Sequence, residues 1–93
     1  MDWTFPVSYK SKEYNIKASL IYDSSQVQRI KVYGSKSYIV LQNNFPLLNK
    51  QGNTSKGIKW QILEGEINDA KLLTHIIYYL EEIIKKEMKE NSL

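Results

Sequence analysis

The spacing of the apolar residues changes once along this chain, and that change constrains the fold more than any other feature. Before residue 63, apolar and polar residues alternate in several short runs; the clearest comprises Tyr14, Ile16, Ala18, Leu20 and Tyr22. A period of two is typical of strands that bury one face. From Leu72 onward the apolar residues recur at intervals of three and four, which is typical of an amphipathic helix.

The alternation predicts five strands that form one antiparallel sheet. Their approximate extents are residues 3–10, 14–22, 27–33, 38–41 and 58–62. Because Pro6 has no N–H to donate to a neighbouring strand, the first strand is predicted at an edge of the sheet. The fourth is a candidate for burial on both faces. Residues 43–57 are rich in Asn, Gly, Lys and Ser and predict a loop of about fifteen residues.

One helix is predicted to begin near Asn68 and Asp69 and to end near Lys89. Asn and Asp are favoured N-cap residues, and carboxylates near a helix start interact favourably with its dipole. At 3.6 residues per turn, the apolar side chains cover an arc of roughly 160–180°. A helix on one sheet normally buries a narrower stripe, so part of the arc is a candidate partner surface.

These signals predict the α+β class: an antiparallel, meander-like sheet of about five strands with one C-terminal amphipathic helix packed on one face. With 93 residues, the chain is expected to form a single domain over residues 1–93. The predicted core consists of Trp3, Phe5, Tyr14, Ile16, Leu20, Ile30, Val32, Trp60, Ile62, Leu73, Ile76, Ile77, Leu80 and Ile84.

Composition excludes several classes of protein. There is no cysteine, which excludes disulfides and thiolate metal sites. The longest apolar run is far shorter than the roughly 20 residues of a membrane span, and no signal peptide is visible, so we expect a soluble, cytoplasmic protein. The net charge of +3 is uneven, with +6 on residues 1–63 and −3 on residues 64–93. A basic sheet beside an acidic helix indicates a partner for the sheet.

The outward face of the predicted sheet combines basic and aromatic residues. Such a face can bind single-stranded nucleic acid, because cations neutralise phosphates and aromatic rings stack on bases. It is also the ordinary composition of a sheet face in water. Lysines of the predicted loop and of the fifth strand extend this face. The whole candidate nucleic-acid or anion surface comprises Lys17, Arg29, Lys31, Tyr33, Lys50, Lys56 and Lys59.

The wide apolar arc of the helix offers a second candidate surface, for a protein partner or a second copy of the chain. An exposed apolar stripe of this size is uncommon in monomers. The alternative is a strongly curved sheet that wraps the helix and uses the whole arc. The candidate partner interface comprises Ile77, Tyr78, Tyr79, Ile84 and Met88.

No catalytic constellation is visible. His75 is the single histidine and has no second nitrogen or sulfur ligand with which to share a metal. The acidic cluster Glu64, Glu66 and Asp69 is expected at a helix start on dipole grounds. Residues 50–57 resemble a phosphate-binding loop but lack its Gly-Lys-Ser/Thr ending and precede a strand. We therefore expect no enzyme, cofactor, metal or small-molecule ligand.

Two hypotheses of function follow. The leading one is a small non-enzymatic protein–protein interaction module, with a homodimer as one form of it. The alternative is a weak single-stranded nucleic-acid binder that uses the basic sheet face. The sequence identifies neither the partner nor the biological process.

Overall fold

The computed structural model describes residues 1–34, 37–52 and 57–91, with residues 88–91 described by their backbone alone. Five strands and two helices follow one another along the chain. Their bounds are β1 Asp2–Tyr9, β2 Lys12–Asp23, β3 Gln28–Tyr33, β4 Tyr38–Asn43, α1 Phe45–Gln51, β5 Trp60–Glu64 and α2 Ala70–Asn91. The α+β class is confirmed.

The sheet is an antiparallel meander in the order β1-β2-β3-β4-β5. The predicted edge position of the first strand is confirmed, with Pro6 opposite Asn15 of β2. A two-residue turn joins β1 to β2, and both of its residues, Lys10 and Ser11, have positive φ angles of 51° and 61°. Positive φ at both central residues is the conformation that matches the right-handed twist of a hairpin.

The loop predicted for residues 43–57 is wrong in its first half, where α1 forms. Asn44 occupies the N-cap position, Pro46 lies in the first turn, and Gly52 ends the helix in a left-handed conformation with φ 73°. Proline is favoured at the start of a helix and glycine just past its end, so the sequence carried this signal. Asn43 Oδ1 accepts a hydrogen bond from the Phe45 N–H (2.9 Å), which fixes the chain reversal after β4.

The predicted register of β2 is wrong at its end. The pairing with β3 shifts between Leu20 and Tyr22, so Ile21 is an extra residue on β2. A bulge of this kind reverses the faces of the residues that follow it. Tyr22 therefore lies opposite Arg29 on the outward face, and not in line with Leu20.

The core lies between the inner face of the sheet and α2. Most of the predicted core residues are buried or partly buried there, and the same core cluster also contains Val7, Ala18, Ile39, Leu41 and Phe45. Ile62 is the exception, since 40% of it is exposed on the edge strand β5. In β4, the three consecutive residues Ile39, Val40 and Leu41 are all buried, as predicted for a strand with both faces covered.

Two tryptophans tie the edge strands to α2. Trp3 of β1 donates from Nε1 to Glu87 Oε1 (2.9 Å), and Trp60 of β5 donates from Nε1 to Glu81 Oε2 (2.7 Å). The Tyr79 ring stacks on Phe5 of β1, with 5.9 Å between centroids. These contacts attach α2 to both edge strands of the sheet.

Candidate functional site

The outward face of the three central strands carries a cluster of basic and tyrosine side chains. The register places Lys17 opposite Tyr33, Tyr22 opposite Arg29, and Tyr33 opposite Tyr38. All of these side chains are exposed or half-buried. We call the following set the cation–tyrosine face: Lys17, Tyr22, Arg29, Lys31, Tyr33 and Tyr38.

Arg29 is held between two neighbours. Its guanidinium carbon lies 4.8 Å from the centre of the Tyr22 ring, and its Nε donates to Gln42 Oε1 (2.9 Å). The bulge at Ile21 is what brings Tyr22 to this position. A guanidinium has five N–H donors, and Gln42 uses only the Nε–H, so four donors of this exposed side chain are not used in the Gln42 contact.

Lys31 lies over two rings at once. Its Nζ is 4.1 Å from the centre of Tyr38 and 5.2 Å from the centre of Tyr33. Val40, the cross-strand partner of Lys31 on β4, is only 3% exposed, so neighbouring side chains shield it from water on this face. Cation–π contacts of this kind contribute about 0.5–1 kcal/mol each at exposed sites, which favours an ordered surface.

On the outward face of the sheet, basic residues lie at the centre and acidic residues at the periphery. Lys17, Arg29 and Lys31 lie on the central strands β2 and β3. The acidic residues that share the outward face are peripheral: Asp2 and Glu64 on the edge strands and Glu13 at the start of β2. A phosphate chain that crosses the centre of the face would therefore meet cations first.

The structure brings together only part of the predicted nucleic-acid surface. Lys17, Arg29, Lys31 and Tyr33 lie in the cation–tyrosine face, and exposed Lys59 lines an adjoining cleft of about 420 Å³ with Gln42. Lys50 lies on α1 and is exposed, whereas Lys56 lies outside the described residues. Alternation also makes Tyr38 a candidate for the outward face, although the predicted surface set does not include it. Sequence reasoning left out two participants: Tyr22, whose position depends on the bulge, and Gln42, whose contact with Arg29 depends on the β3–β4 register.

The domain itself covers only part of the predicted partner interface. Ile84 is 1% exposed and belongs to the core, Ile77 is half-buried against the core, and Tyr79 stacks on Phe5. Tyr78 is 61% exposed. The side chain of Met88 lies outside the described part of the chain. Among the described side chains of this set, Tyr78 and, to a lesser extent, Tyr79 (37%) are exposed.

Of the acidic cluster Glu64, Glu66 and Asp69, Asp69 alone contacts the start of α2 among the described hydrogen bonds, and Glu64 lies on β5. Asp69 Oδ1 accepts hydrogen bonds from the Lys71 N–H (3.1 Å), the Leu72 N–H (3.2 Å) and the Tyr9 hydroxyl (2.9 Å). Lys10 Nζ lies 3.8 Å from Asp69 Oδ2. His75 is exposed and meets the edge of the Tyr9 ring at 5.1 Å between centroids. These contacts assign Asp69 to helix capping.

The hydrogen bond between the Tyr9 hydroxyl and Asp69 shifts the pKa values of the two groups in opposite directions. Burial, and then the hydrogen bond to Asp69, raise the pKa of Tyr9 above its ordinary 10.0. For Asp69, burial disfavours the charged form, but the hydrogen bonds from Leu72 and Tyr9 and the charge of Lys10 outweigh it. The pKa of Asp69 is therefore lowered from its ordinary 3.8.

We expect Asp69→Asn to reduce the loss of stability that the protein shows as the pH falls below about 4. A carboxyl whose folded pKa is lowered contributes stability that is complete above its ordinary 3.8 and is lost as the pH falls through the lower folded value. Asparagine also caps helices well, so the variant loses the titration and keeps the cap acceptor. Thermal melts between about pH 5 and about pH 2 measure this. Glu66→Gln is the control, and equal slopes for Asp69→Asn and the parent protein would contradict the assignment.

Other sites are few within the described residues. Among the side chains that the structure describes, in residues 1–34, 37–52 and 57–87, no group of three or more His, Asp or Glu is placed to hold a metal ion. In the described parts of the chain, neither helix has the length and apolarity needed to cross a membrane. A half-open cleft of about 270 Å³ lies between the start of α2 and the β3–β4 hairpin, with mainly apolar walls.

Comparison with protein-family models, curated proteins and solved structures found no match to this chain.

Proposed function

We propose that this domain is a non-enzymatic binding module that holds single-stranded nucleic acid on its cation–tyrosine face. The observation that carries the proposal is the pairing of Arg29 with Tyr22, and of Lys31 with Tyr33 and Tyr38, on adjacent central strands. Proteins that bind single strands without strong sequence preference combine a basic track for the backbone with aromatic rings on which bases stack.

The dimensions of the face suit a short stretch of nucleic acid. Arg29 and Tyr33 are four residues apart on β3, which corresponds to about 13 Å along the strand. That length is about four nucleotides of a stacked single strand, and fewer of an extended one. Lys59, in the cleft beside Gln42, extends the basic track beyond Arg29.

Self-association through α2 has less support. The width of the apolar arc motivated it, and within one chain the core already buries or partly buries the following residues of that arc: Leu72, Leu73, Ile76, Ile77, Leu80, Ile83 and Ile84. The cation–tyrosine face has no such internal explanation, because its side chains are directed away from the core. We therefore rank nucleic-acid binding first.

A labelled oligonucleotide tests the proposal. We expect a fluorescein-labelled eight-nucleotide deoxythymidine strand to bind the protein at low salt and to dissociate as salt is raised. For single strands the slope of log K against log salt is about −0.7 per neutralised phosphate, so Lys17, Arg29 and Lys31 together predict a slope near −2. The variant Arg29→Ser/Lys31→Ser should reduce the slope to about −0.7 and the low-salt affinity by roughly tenfold or more.

A matched variant distinguishes binding at the cation–tyrosine face from a general effect of the protein's net charge. Lys12→Ser/Lys85→Ser removes the same two charges from exposed positions outside the cation–tyrosine face. We expect it to keep most of the affinity and the slope of the parent protein. Absence of binding at low salt, or equal losses in the two double variants, would contradict the proposal.

A further inference from the structure

The strand β5 forms an edge of the sheet that the domain leaves largely uncovered. In the described sheet, β4 is its only strand neighbour, so one side of the β5 backbone has no strand partner there. After Trp60, every residue of β5 is exposed, and two of these residues are large and apolar, Ile62 (40%) and Leu63 (39%). An exposed apolar edge strand is a template for pairing with a further strand.

The opposite edge of the sheet is protected from such pairing. In β1, Pro6 has no N–H to offer to a further strand. The helix α2 also packs against this edge, where the Tyr79 ring stacks on Phe5. The strand β5 contains no proline, and its residues beyond Trp60 are exposed. Of the two edges, β5 is therefore the one that is open to a partner.

The register with β4 determines which way the side chains of β5 point. The inward residues are Trp60 and Ile62, and the outward residues are Gln61 and Glu64. The pairing with β4 shifts between Ile62 and Glu64, so Leu63 is the extra residue of a bulge. Because of this bulge, the alternation of faces along β5 is interrupted once, directly after Ile62.

We propose that two copies of this chain pair antiparallel through β5, about a two-fold axis at Gln61. A two-fold axis perpendicular to the sheet reverses the strand and keeps each side chain on its own face. Gln61 then lies opposite Gln61 of the partner subunit, and an amide side chain can pair with itself because it both donates and accepts. Trp60 lies opposite the partner's Ile62, an aromatic and β-branched pair of the kind that stabilises antiparallel strands.

The charges beside β5 are self-complementary in this register. Lys59 is exposed and lines the outward cleft with Gln61. Beyond the partner's Ile62, the next outward position belongs to Glu64 of the partner subunit, because the bulge residue is passed over. Lys59 therefore lies opposite the partner's Glu64, and the two-fold axis repeats this contact. Two pairs of opposite charge form and no like charges lie opposite each other, which favours a second copy of the chain as the occupant.

The contact is short, so the association should be weak. The five residues of β5 extend about 17 Å, and such a contact covers less than the roughly 800 Å² per partner of a stable complex. We expect a dissociation constant on the order of 100 µM. Pairing would join the two five-stranded sheets, with both cation–tyrosine faces on one side. The proposal does not depend on nucleic-acid binding, and its test uses the protein alone.

Sedimentation equilibrium between about 10 µM and about 1 mM protein, a range that brackets the expected constant, tests the pairing. We expect the average mass to rise from 10.9 kDa toward twice that value. In ¹⁵N-labelled protein, the backbone amide resonances of residues 59–64 should shift over the same range, and those of β1 should not. A parent protein that stays monomeric at about 1 mM would overturn the proposal.

Charge reversal identifies the contact. Lys59→Glu and Glu64→Lys each replace both opposite-charge contacts by like-charge contacts, so each variant alone should self-associate about tenfold more weakly than the parent. An equimolar mixture of the two variants restores opposite charges at both contacts, and it should associate within about threefold of the parent affinity.

Lys12→Glu and Glu13→Lys are the matched controls, because they make the same changes of charge at exposed positions at the start of β2. Each control variant alone should self-associate within about twofold of the parent. A mixture of Lys59→Glu and Glu64→Lys that associates no better than either variant alone would overturn the proposal. So would a dimer in which the concentration-dependent amide shifts lie outside β5.

Discussion

Gly65→Ala is expected to destabilise the domain by about 3 kcal/mol or more, since two costs coincide at this position. Gly65 follows β5 with φ 81°, a conformation that costs an L residue about 1 kcal/mol. A Cβ atom added there would overlap the carbonyl oxygen of Tyr38 and lie 3.2 Å from Ile39 Cα. Both neighbours are backbone atoms of β4, so the clash can be relieved only by moving the strand. Chemical denaturation in urea, followed by tryptophan emission, measures the loss.

Gly52→Ala separates the two costs. Gly52 has a similar φ of 73°, but no heavy atom lies within 4 Å of a Cβ built there. Its substitution should therefore cost only the conformational part, about 1 kcal/mol. Equal losses at Gly65 and Gly52 would show that β4 accommodates the added methyl group. Because Tyr38 belongs to the cation–tyrosine face, a displaced β4 in Gly65→Ala should also weaken oligonucleotide binding.

Local patterns were sufficient to predict the main layers of the fold. Alternation over β1 and β2 assigns Phe5 and Ile16 to the inner face, and the three–four repeat assigns Ile76, Leu80 and Ile84 to the buried side of α2. The capping role expected near Asp69 also follows from residue type alone. Each of these features depends on neighbours in sequence, which is why a single chain reveals them.

Features that depend on contacts between strands were not predictable in the same way. The bulge at Ile21 has no composition signal, so Tyr22 was assigned to the wrong face. Ile62 fits the alternation of a core strand but lies on the edge strand β5, where α2 does not cover it. In α1, Pro46 and Gly52 did mark the helix ends, but the loop-like composition between them obscured a helix of only seven residues.

In the candidate site, too, some features follow from local sequence and others from contacts between strands. The outward direction of Arg29 and Lys31 follows from alternation along β3. Their pairing with Tyr22 and Tyr38 requires the register of three strands, which no local pattern fixes. Residue types therefore identified the basic residues and Tyr33, and the structure added Tyr22 and the pairing of each cation with its rings.

Ile84→Ala is expected to reduce the free energy of unfolding by about 3 kcal/mol, independent of protein concentration. The side chain is 1% exposed and packs in the core between α2 and the sheet, so its truncation leaves a cavity that neighbours fill only partly. Urea denaturation at two protein concentrations that differ tenfold, with the mass in solution measured at both, tests this. Tyr78→Ala, on the same helix but 61% exposed, should change stability by less than about 0.5 kcal/mol. A loss for Ile84→Ala that grew on dilution, together with a dimer mass for the parent protein, would instead place this helix face in an interface between two chains.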